Sequence, residues 1–562
     1  MTVTRSHELE ASDAMHAPEG PVVLIIMDGI GVGAGDEFDA VYRAHTPVLD
    51  ALREEGLYRE LWAHGVRVGL PSDGDMGNSE VGHNILGAGR IFDQGAKCVD
   101  SAIAAGTIWD GEWGELTAGV KARDGALHLV GLLSDGNVHA SLTHLFAMLD
   151  RAAADGVVRA FVHVLLDGRD VPDHSAERYL GLLEDRLCAL NEVYGAQFAI
   201  ASGGGRMTTT MDRYEADWQV VERGWQAHVL GEGRRFLSAA QAIAAFREEH
   251  VGISDQQLPA FVIAADAGLG TPLGPIVDGD AVVLYNFRGD RAMQLSRAFV
   301  EGDIFDAFDR VRSPQVEFAG MIQYDGDLNM PPRYLVSPAS VDGTISECLA
   351  ATGVTQFACA ETQKFGHVTY FWNGNRSGKF AEDLEAYVEI PSDVSPFEQR
   401  PWMKSAETAD ALVAAIEGGT YRFIRANFAG GDMVGHTGRI DAATIAVEAV
   451  DLGLARVRQA VEAQKGTLVV TSDHGNADDM VERTADGKPK RSAAGAAQWR
   501  TSHSLNPVPF YVLDFSGRCP SMRSGLNQAG LANVAATLLE LMGYVPPTDF
   551  EPSLVEWSQG AE

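Results

Sequence analysis

The chain has 562 residues, of which 46% are hydrophobic and 22% charged, and it carries a formal net charge of −34. That composition is typical of a globular protein, and the length exceeds what one hydrophobic core usually supports, so we expect two domains. The negative charge argues against nucleic acid and anionic membrane surfaces as partners. It would also repel a small anionic substrate, whose site would need a local cluster of arginines.

The amino-terminal segment has no basic patch followed by an apolar run, which argues against a secretory signal and predicts a mobile tail over residues 1–20. No apolar stretch approaches the roughly 20 residues that a membrane span needs. The five cysteines lie far apart and form no CxxC motif, as is typical of reduced thiols. We therefore predict a cytoplasmic protein without a membrane partner.

The first predicted strand is the apolar run VVLIIMDG (22–29), which ends at Asp28. A short β-branched run of this kind is typical of a strand buried on both faces of a parallel sheet. The turn after it fits the loose dinucleotide pattern G-x-G-x-x-G/A at Gly29, Gly31 and Ala34. Two features argue against a nucleotide: the Asp28 carboxylate would face the pyrophosphate, and residues 41–56 indicate a helix where the second strand should be.

The middle of the chain, from residue 93 to residue 338, has its own alternation of apolar strands and helices. Four apolar runs end in polar, glycine-rich tips, and they cover residues 126–136, 159–170, 196–206 and 280–291. A helical segment at 174–195 separates the second run from the third. This alternation predicts an α/β domain. The simplest architecture inserts it into a discontinuous domain formed by residues 21–92 and 339–562.

Basic residues concentrate at the tips of these runs, at Arg169, Arg206, Arg288 and Arg291, and Arg213 follows in MDRY. Asp170 adjoins the first of them, and His139 follows the first apolar run. Any one of these arginines could form a surface salt bridge of little consequence. Together, their planar guanidinium groups suit bidentate binding of carboxylate and phosphate, so we predict a small phosphorylated acid as the ligand.

Two further strands are predicted in YRFIRANFAGGDMVGH (421–436) and GTLVVTSDHG (466–475), and each run leads into an acid. Asp432 and His436 are four residues apart, so on a helix they would share one face. Ligands of open α/β sheets bind beyond the carboxyl ends of the strands, where these acids fall. The polar residues 483–500 predict a surface loop.

A metal site is the interpretation that unites the remaining polar residues, which are Asp28, Asp432, His436, Asp473, His474 and His503. A strand-end aspartate alone could cap a helix, and a lone histidine could be structural. Their joint occurrence with Ser79 in GNSEVGH (77–83) favours a two-metal phosphoryl-transfer site, because a serine hydroxyl is a poor nucleophile until a metal lowers its pKa. Mixed nitrogen and oxygen ligands suit Mn, Zn, Fe or Co.

With these residues in place, the chain resembles the cofactor-independent (2,3-bisphosphoglycerate-independent) phosphoglycerate mutases of the alkaline phosphatase-like superfamily. The resemblance covers nearly the whole length and rests on long motifs in the same order, namely MDGIGVG, GLPSDGDMGNSEVGHNILGAGR, SDGNVHA, LDGRDVP, NFRGDRAMQ, AETQKFGHVTYFWNG, DMVGHTG, TSDHGN and TSHSLNPVPF. It implies an α/β fold, with a discontinuous alkaline phosphatase-like domain on a mostly parallel sheet and an inserted phosphotransferase domain. It also implies a monomer.

The resemblance further implies two divalent metal ions, with Mn²⁺ expected and Mg²⁺, Co²⁺ or Zn²⁺ as alternatives. One ion would be bound by Asp432, His436 and His503. The other would be bound by Asp28, Asp473, His474 and the nucleophile Ser79. The substrate would contact His139, Arg169, Asp170, Arg206, Arg213, Arg288 and Arg291 of the inserted domain, together with Lys364 of the phosphatase-like domain.

The implied activity is interconversion of 3-phosphoglycerate and 2-phosphoglycerate without 2,3-bisphosphoglycerate. Ser79 would become phosphorylated, Lys364 would meet the phosphate, and Asp170 would act as general acid and base. The domains would close over the ligand to retain glycerate. A metal-dependent phosphomonoesterase, a mutase of phosphorylated sugars and a non-catalytic metal-dependent binding protein remain as alternatives.

Three features depart from the family pattern. The stretch GRMTTTMDRY is one residue longer than the usual spacing between its two arginines, so the role of Arg213 depends on the path of that turn. The segment between His474 and His503 is also longer than usual, and the amino-terminal tail is additional. None of these departures removes a predicted ligand.

Overall fold

The computed structural model describes residues 7–13, 15–70, 72–212, 217–324, 329–337, 341–393, 395–484, 486–491, 495, 497–500 and 502–557. It forms two compact units, a discontinuous unit (1–94 and 339–562) and an inserted unit (95–338). Each contains a mostly parallel sheet with helices between the strands, which confirms the predicted α/β class. Within the described ranges, no helix is both long enough and apolar enough to cross a membrane.

The first segment of the discontinuous unit consists of β1 (Val22–Met27), α1 (Ala40–Arg43), α2 (Pro47–Glu55), β2 (Leu57–Leu61) and α3 (Ser79–Ala88). Every residue of β1 is buried, as its apolar run predicts. Pro47 begins α2, a position that suits its fixed φ, and the predicted helix over 41–56 is therefore divided in two. A Cβ at Gly29 would lie 2.6 Å from the Asp432 backbone, so this turn is packed against its own unit.

In the part of the chain that the structure describes, the inserted unit contains eight strands and seven helices. In chain order they are α4 (Ala96–Ala105), α5 (Glu112–Arg123), β3 (Leu127–Leu133), α6 (Leu142–Ala154), β4 (Arg159–Leu166), α7 (Ala176–Tyr194), β5 (Gln197–Gly205), α8 (Trp218–Trp225), β6 (Arg234–Phe236), α9 (Ala239–Glu249), β7 (Phe261–Ile263), β8 (Ala281–Leu284), α10 (Met293–Val300), β9 (Glu317–Ile322) and β10 (Tyr334–Val336). Its sheet has the order β10-β9-β8-β3-β4-β5-β7-β6. The four central strands β8, β3, β4 and β5 are parallel. Their carboxyl ends therefore lie at one edge.

The second segment of the discontinuous unit consists of α11 (Ile345–Ala351), β11 (Gln356–Glu361), α12 (Thr362–Gly366), β12 (Glu385–Ile390), α13 (Ser405–Glu417), β13 (Phe423–Phe428), α14 (Gly430–Gly435), α15 (Ile440–Ala463), β14 (Thr467–Thr471), β15 (Val508–Asp514), β16 (Pro520–Met522), α16 (Asn533–Leu541) and β17 (Val555–Trp557). The main sheet has the order β12-β11-β13-β1-β14-β15-β2. β15 is antiparallel to both of its neighbours, β14 and β2, and the other pairs in this sheet are parallel.

Single helical turns complete the described elements. The 3₁₀ turns are Gly65–Val68, Thr107–Trp109, Asp255–Gln257, Gly289–Arg291, Gly302–Ile304 and Phe397–Gln399, and the π turns are Gln226–Leu230 and His367–Phe371. Within the predicted strand and polar tip at 280–291, regular pairing ends at Leu284 and the tip forms the 3₁₀ turn Gly289–Arg291.

One peripheral prediction differs from the structure and a second agrees with it. In the predicted mobile tail, Leu9 is buried against the discontinuous unit and its N–H donates to Thr352 Oγ1 at 2.9 Å. The described part of the predicted surface loop 483–500 is mostly exposed and contains only isolated β-bridges. Both Arg483 and Arg500 donate to Asp479, at 2.8 and 2.6 Å, so one carboxylate holds both ends of this loop.

Candidate metal centre and arginine cluster

Three buried aspartates meet at one edge of the main sheet in the discontinuous unit. Asp28 follows β1, Asp473 follows the neighbouring β14, and Asp432 lies on α14 just beyond β13, the other neighbour of β1. Because these strands are parallel, their carboxyl ends coincide. All three side chains belong to residues that are at most 2% exposed.

Lys364, on α12 after β11, is the buried cation among these acids. Its Nζ donates to Asp28 Oδ1 at 2.8 Å, to Asp432 Oδ2 at 2.7 Å and to Ser79 Oγ at 2.6 Å. Burial lowers the pKa of Lys364, but Asp28, Asp432 and Asp473 outweigh burial and raise that pKa above its ordinary value. One ammonium group against three carboxylates leaves the cluster negative.

Ser79 is the first residue of α3, and its hydroxyl lies inside the same cluster. Ser79 Oγ is 2.9 Å from His474 Nε2 and 3.2 Å from Asp28 Oδ1. The Asn78 side chain accepts a hydrogen bond from the Val81 N–H at 3.0 Å, so the helix begins at the serine. The partial positive charge of a helix N-terminus favours an anion at this position.

Two more histidines converge on Asp432. His436 Nε2 and His503 Nε2 lie 3.0 and 3.2 Å from Asp432 Oδ1, and 3.2 Å from each other. The His474 ring stacks on His503 with the centroids 4.0 Å apart. His503 Nδ1 donates to the Gly77 carbonyl at 2.7 Å, which leaves the Nε2 lone pair free to act as a ligand.

The carboxylates repel one another in this arrangement. Burial and the Asp473 charge raise the pKa of Asp28 to about 6. Burial also acts to raise the pKa of Asp432 and of Asp473, but His436 in the first case and His474 in the second outweigh it, and both pKa values fall below the usual range. Like charges this close are stabilised by a shared cation.

The donor set fits divalent metal ions. Ligand atoms of Asp28, Asp473 and His474 lie within 4.8 Å of one another, and so do those of Asp432, His474 and His503. His474 is therefore common to both groups. Asp473 Oδ2 is buried, makes no regular hydrogen bond among the described residues and lies 3.3 Å from His83 Nδ1, which leaves it able to bind a metal.

Three neighbours of this centre were missed by the sequence reasoning. Asn427 Nδ2 donates to Asp28 Oδ2 at 2.6 Å, and Asn476 Nδ2 donates to Asp432 Oδ1 at 3.2 Å. His83 Nδ1 donates to the Ser79 carbonyl at 2.8 Å. The available signals were the helical spacing of four residues from serine to histidine and the place of Asn427 near the end of an apolar run.

The predicted substrate residues of the inserted unit lie beyond the carboxyl ends of its four central strands. His139 follows β3, Arg169 and Asp170 follow β4, Arg206 follows β5, and Arg288 and Arg291 follow β8. Parallel neighbours bring these tips to one edge of the sheet. Arg213 lies outside the described residues.

Arg206 is the most buried member of this cluster. Its Nη1 donates to Asp167 Oδ1 at 2.8 Å and to Asp170 Oδ2. Burial raises the pKa of Asp170, but Arg206 and His139 outweigh it and hold that pKa below its usual value. Asp167, which the sequence reasoning missed, also accepts the N–H groups of Arg169 and Asp170 at 3.1 and 3.0 Å. Its position directly after an apolar run was the signal.

The other arginines differ in exposure. Arg291 is 9% exposed, and its Nη1 donates to the Met211 carbonyl at 2.7 Å. Arg288 is half-buried and Arg169 is exposed at the same edge. Arg206 and Arg291 are thus each held by a neighbouring turn, Arg206 by Asp167 and Asp170 and Arg291 by the Met211 carbonyl.

Comparisons with known proteins show the family of this chain. The family model of the Metalloenzyme superfamily matches residues 20–546. A 2,3-bisphosphoglycerate-independent phosphoglycerate mutase from Trypanosoma brucei brucei is 52% identical over 543 residues, with 96% of this chain and 98% of the relative covered. A second, from Arabidopsis thaliana, is 50% identical over 546 residues, with 96% and 97% covered. A crystal structure of Leishmania mexicana phosphoglycerate mutase at low cobalt concentration superimposes with a TM-score of 0.82 at 48% identity, covering 98% of this chain and 100% of that one.

The family model defines a metalloenzyme, and the clustered buried nitrogen and oxygen donors fit the use of divalent metal. Within that class, the identity over nearly full length is decisive: the chain belongs to the family of 2,3-bisphosphoglycerate-independent phosphoglycerate mutases.

Proposed function

We propose that this protein interconverts 3-phosphoglycerate and 2-phosphoglycerate without 2,3-bisphosphoglycerate, through a phosphoserine at Ser79. The observation that carries the proposal is the position of the Ser79 hydroxyl, which contacts Lys364, His474 and Asp28 at the start of a helix. The names of relatives that are about half identical over nearly the whole chain support the substrate.

Two divalent ions are proposed to bind in this centre. Asp28, Asp473, His474 and Ser79 would hold one, and Asp432, His436 and His503 would hold the other. Mixed nitrogen and oxygen donors favour Mn²⁺, with Mg²⁺, Co²⁺ or Zn²⁺ as possible replacements. When bound, such ions lower the pKa of the serine hydroxyl and offset charge on the transferring phosphoryl oxygens.

In the first half of the reaction, Ser79 loses its proton, its Oγ–P bond forms, and the bond between phosphorus and the 3-oxygen of glycerate breaks. Glycerate then carries the proton at its 3-oxygen. Lys364 already donates to Ser79 Oγ at 2.6 Å, so its ammonium group is placed to follow the charge from the serine oxygen to the phosphoryl group.

In the second half, the 2-hydroxyl of glycerate loses its proton as its oxygen attacks the phosphorus of the phosphoserine. The bond between the 2-oxygen and phosphorus forms, the Ser79 Oγ–P bond breaks, and Ser79 Oγ takes up the proton. Asp170 is proposed as the base, because Arg206 and His139 keep its carboxyl group ionised. Arg206, Arg291 and their neighbours would hold the glycerate carboxylate while the molecule reorients. Retention of glycerate between the halves is what distinguishes a mutase from a phosphatase.

We also propose a cytoplasmic, monomeric enzyme. All five cysteines are free thiols in the structure, which is consistent with a reducing compartment.

The proposal is tested by an enolase-coupled assay with 3-phosphoglycerate on EDTA-treated protein, without 2,3-bisphosphoglycerate, and with or without added Mn²⁺. Ser79→Ala should abolish turnover. Ser405→Ala is the matched control, since Ser405 is also a buried first residue of a helix in the same unit. Release of inorganic phosphate without 2-phosphoglycerate would instead support a phosphomonoesterase, and turnover by Ser79→Ala would contradict the phosphoserine route.

A further inference from the structure

A buried chain of hydrogen bonds crosses the sheet of the inserted unit, and the proposed function leaves it unused. Its links are Asp280 Oδ2 to His128 Nε2 (3.0 Å), His128 Nδ1 to His163 Nε2 (2.9 Å), His163 Nδ1 to Ser202 Oγ (2.6 Å), Ser202 Oγ to His228 Nδ1 (2.7 Å), and His228 Nε2 to Thr210 Oγ1 (2.9 Å). Each of the six residues is at most 3% exposed. The chain runs from the start of β8 across β3, β4 and β5 to the turn that follows Arg206.

The carboxylate at one end sets the direction of the first bond, and a single ring proton on His128 would set the direction of the others. An ionised Asp280 only accepts, so His128 Nε2 must donate, and a His128 ring with one proton would then accept at Nδ1. The next hydrogen bonds follow in the same way: His163 donates through Nε2 to His128 and accepts at Nδ1 from the Ser202 hydroxyl. Ser202 has only one hydroxyl proton, so it cannot also donate to His228. His228 therefore donates through Nδ1 to the serine and accepts at Nε2, which requires the Thr210 hydroxyl to donate.

Thr210 is held in a conformation that β-branched residues rarely adopt. Its φ is +70°, in the left-handed region. Its N–H donates to the Val220 carbonyl at 2.8 Å, and a Cβ on Gly224 would lie 2.1 Å from its hydroxyl oxygen. Backbone strain of this kind persists only where surrounding contacts over-determine it, and the bond to His228 is one of them.

The next residue connects this turn to the arginine cluster. The Met211 carbonyl accepts from Arg291 Nη1 at 2.7 Å, and the turn itself begins at Arg206. A change in the Thr210 backbone would therefore move the carbonyl that orients Arg291.

We propose that the hydrogen-bond chain from Asp280 to His228 positions the substrate arginines. It holds the Thr210 hydroxyl and, through Met211, the side chain of Arg291. These residues touch no substrate themselves. The kinetic part of this inference rests on the proposed function, whereas the direction of the hydrogen bonds does not.

The kinetic test compares Thr210→Val, which keeps the shape and removes the donor, with Thr210→Ser, which keeps the donor. A buried acceptor left without its donor is costly, so we expect Thr210→Val to raise the KM for 3-phosphoglycerate about tenfold with a smaller effect on kcat. Thr210→Ser should restore KM to within about twofold of wild type. Equal KM values for the valine and wild-type proteins would overturn the proposal.

A remote substitution separates positioning from general damage. His128→Phe breaks the hydrogen-bond chain at a residue far from Thr210 and should raise KM in the same way as Thr210→Val. The matched control is His144→Phe, since His144 is an equally buried histidine of this unit that binds Asp100 at 2.7 Å outside the chain. We expect the control to lower the thermal midpoint without changing KM. A KM rise of the same size in the control would contradict a positioning role.

The direction of these hydrogen bonds can be measured without an activity assay, by ¹⁵N NMR of histidine-labelled wild-type protein at pH 8. We expect His128 and His163 to carry their proton on Nε2 and His228 to carry it on Nδ1. The reversed pattern, with protons on His163 Nδ1 and His228 Nε2, would overturn the proposal. An inactive wild-type protein with the expected tautomers would instead contradict the proposed function alone.

Discussion

A single methyl group on α3 should disable the candidate metal centre. Gly82 lies one turn after Ser79, and a Cβ at this position would sit 2.6 Å from the Asp473 carbonyl oxygen and 2.7 Å from the Asp473 Cβ. Ordinary contact begins at 3.4 Å, so α3 or the Asp473 turn must move by about 0.8 Å in Gly82→Ala. The helix is packed, so Ser79 moves with it relative to Asp28 and His474.

A displacement of that size at a reacting group costs on the order of 100-fold in rate, or about 2.7 kcal/mol in the transition state. We therefore expect kcat/KM of Gly82→Ala to fall about 100-fold in the enolase-coupled assay at saturating Mn²⁺, with an overpacking cost of about 1–3 kcal/mol in stability. The control is Gly181→Ala on α7, where an added Cβ meets nothing within 4 Å. It should keep full activity and gain up to about 1 kcal/mol from helix propensity. A Gly82→Ala protein within threefold of wild-type kcat/KM would show that the added methyl group does not displace Ser79.

Three further predictions concern the charged and titrating groups. Metal at 100 times its Kd should raise the free energy of unfolding by about 2.7 kcal/mol over EDTA-treated protein, as measured by thermal melts across a Mn²⁺ titration. Lys364→Met should reduce kcat/KM by about 100-fold or more, and should destabilise metal-free protein by about 3–5 kcal/mol, because three buried carboxylates lose their only buried ammonium partner among the described residues. Below pH 6.5, stability in EDTA should fall by about 1.4 kcal/mol per pH unit through His228, and His228→Gln should show a correspondingly shallower decline in urea denaturation.

Stability is expected to fall with pH because the pKa of His228 is lowered in the folded protein. Burial, and then His128, lower the pKa of His228 to about 3 in the folded protein, against 6.5 when unfolded. Between these values the unfolded chain binds the proton and the folded chain does not, so stability is full above pH 6.5 and is lost as pH falls. A wild-type protein whose acid decline matches that of His228→Gln would contradict this assignment. Metal-independent thermal midpoints, or a Lys364→Met protein that melts like wild type in EDTA, would contradict the other two.

The sequence predicted the strand ends well because the physics there is local. A buried parallel strand needs a continuous apolar run, and Asp28 and Asp473 directly follow such runs. Parallel pairing then brings the two acids together without any further information. The spacing of four residues between Asp432 and His436 was likewise sufficient to predict a shared helix face.

The neighbours of these ligands could not be predicted in the same way. The spacing from Ser79 to His83 and the position of Asn427 near the end of an apolar run were weak signals, because the contacts of both side chains depend on the packing of α3 against the sheet. The histidine chain is a clearer case. His128 and His163 lie inside apolar strands, and only the strand register and the π turn at His228 bring their ring nitrogens into line.

The burial of the tail could not be predicted for a third reason. Leu9 is one of only a few apolar residues in a polar tail, which is too weak a signal to predict burial, yet it packs in the core of the discontinuous unit. The surface position of 483–500 follows from its polar composition, whereas its ion pairs to Asp479 do not.

The most direct test of the account is to trap the phosphoryl group on Ser79. Wild-type protein with Mn²⁺ and 3-phosphoglycerate would be quenched in acid during steady-state turnover, digested, and examined by mass spectrometry for the peptide that contains Ser79. The account predicts a phosphorylated Ser79 peptide that forms with either 3-phosphoglycerate or 2-phosphoglycerate and is absent after EDTA treatment. Sustained production of 2-phosphoglycerate with no phosphate on that peptide at any time, or with phosphate on another residue, would contradict it.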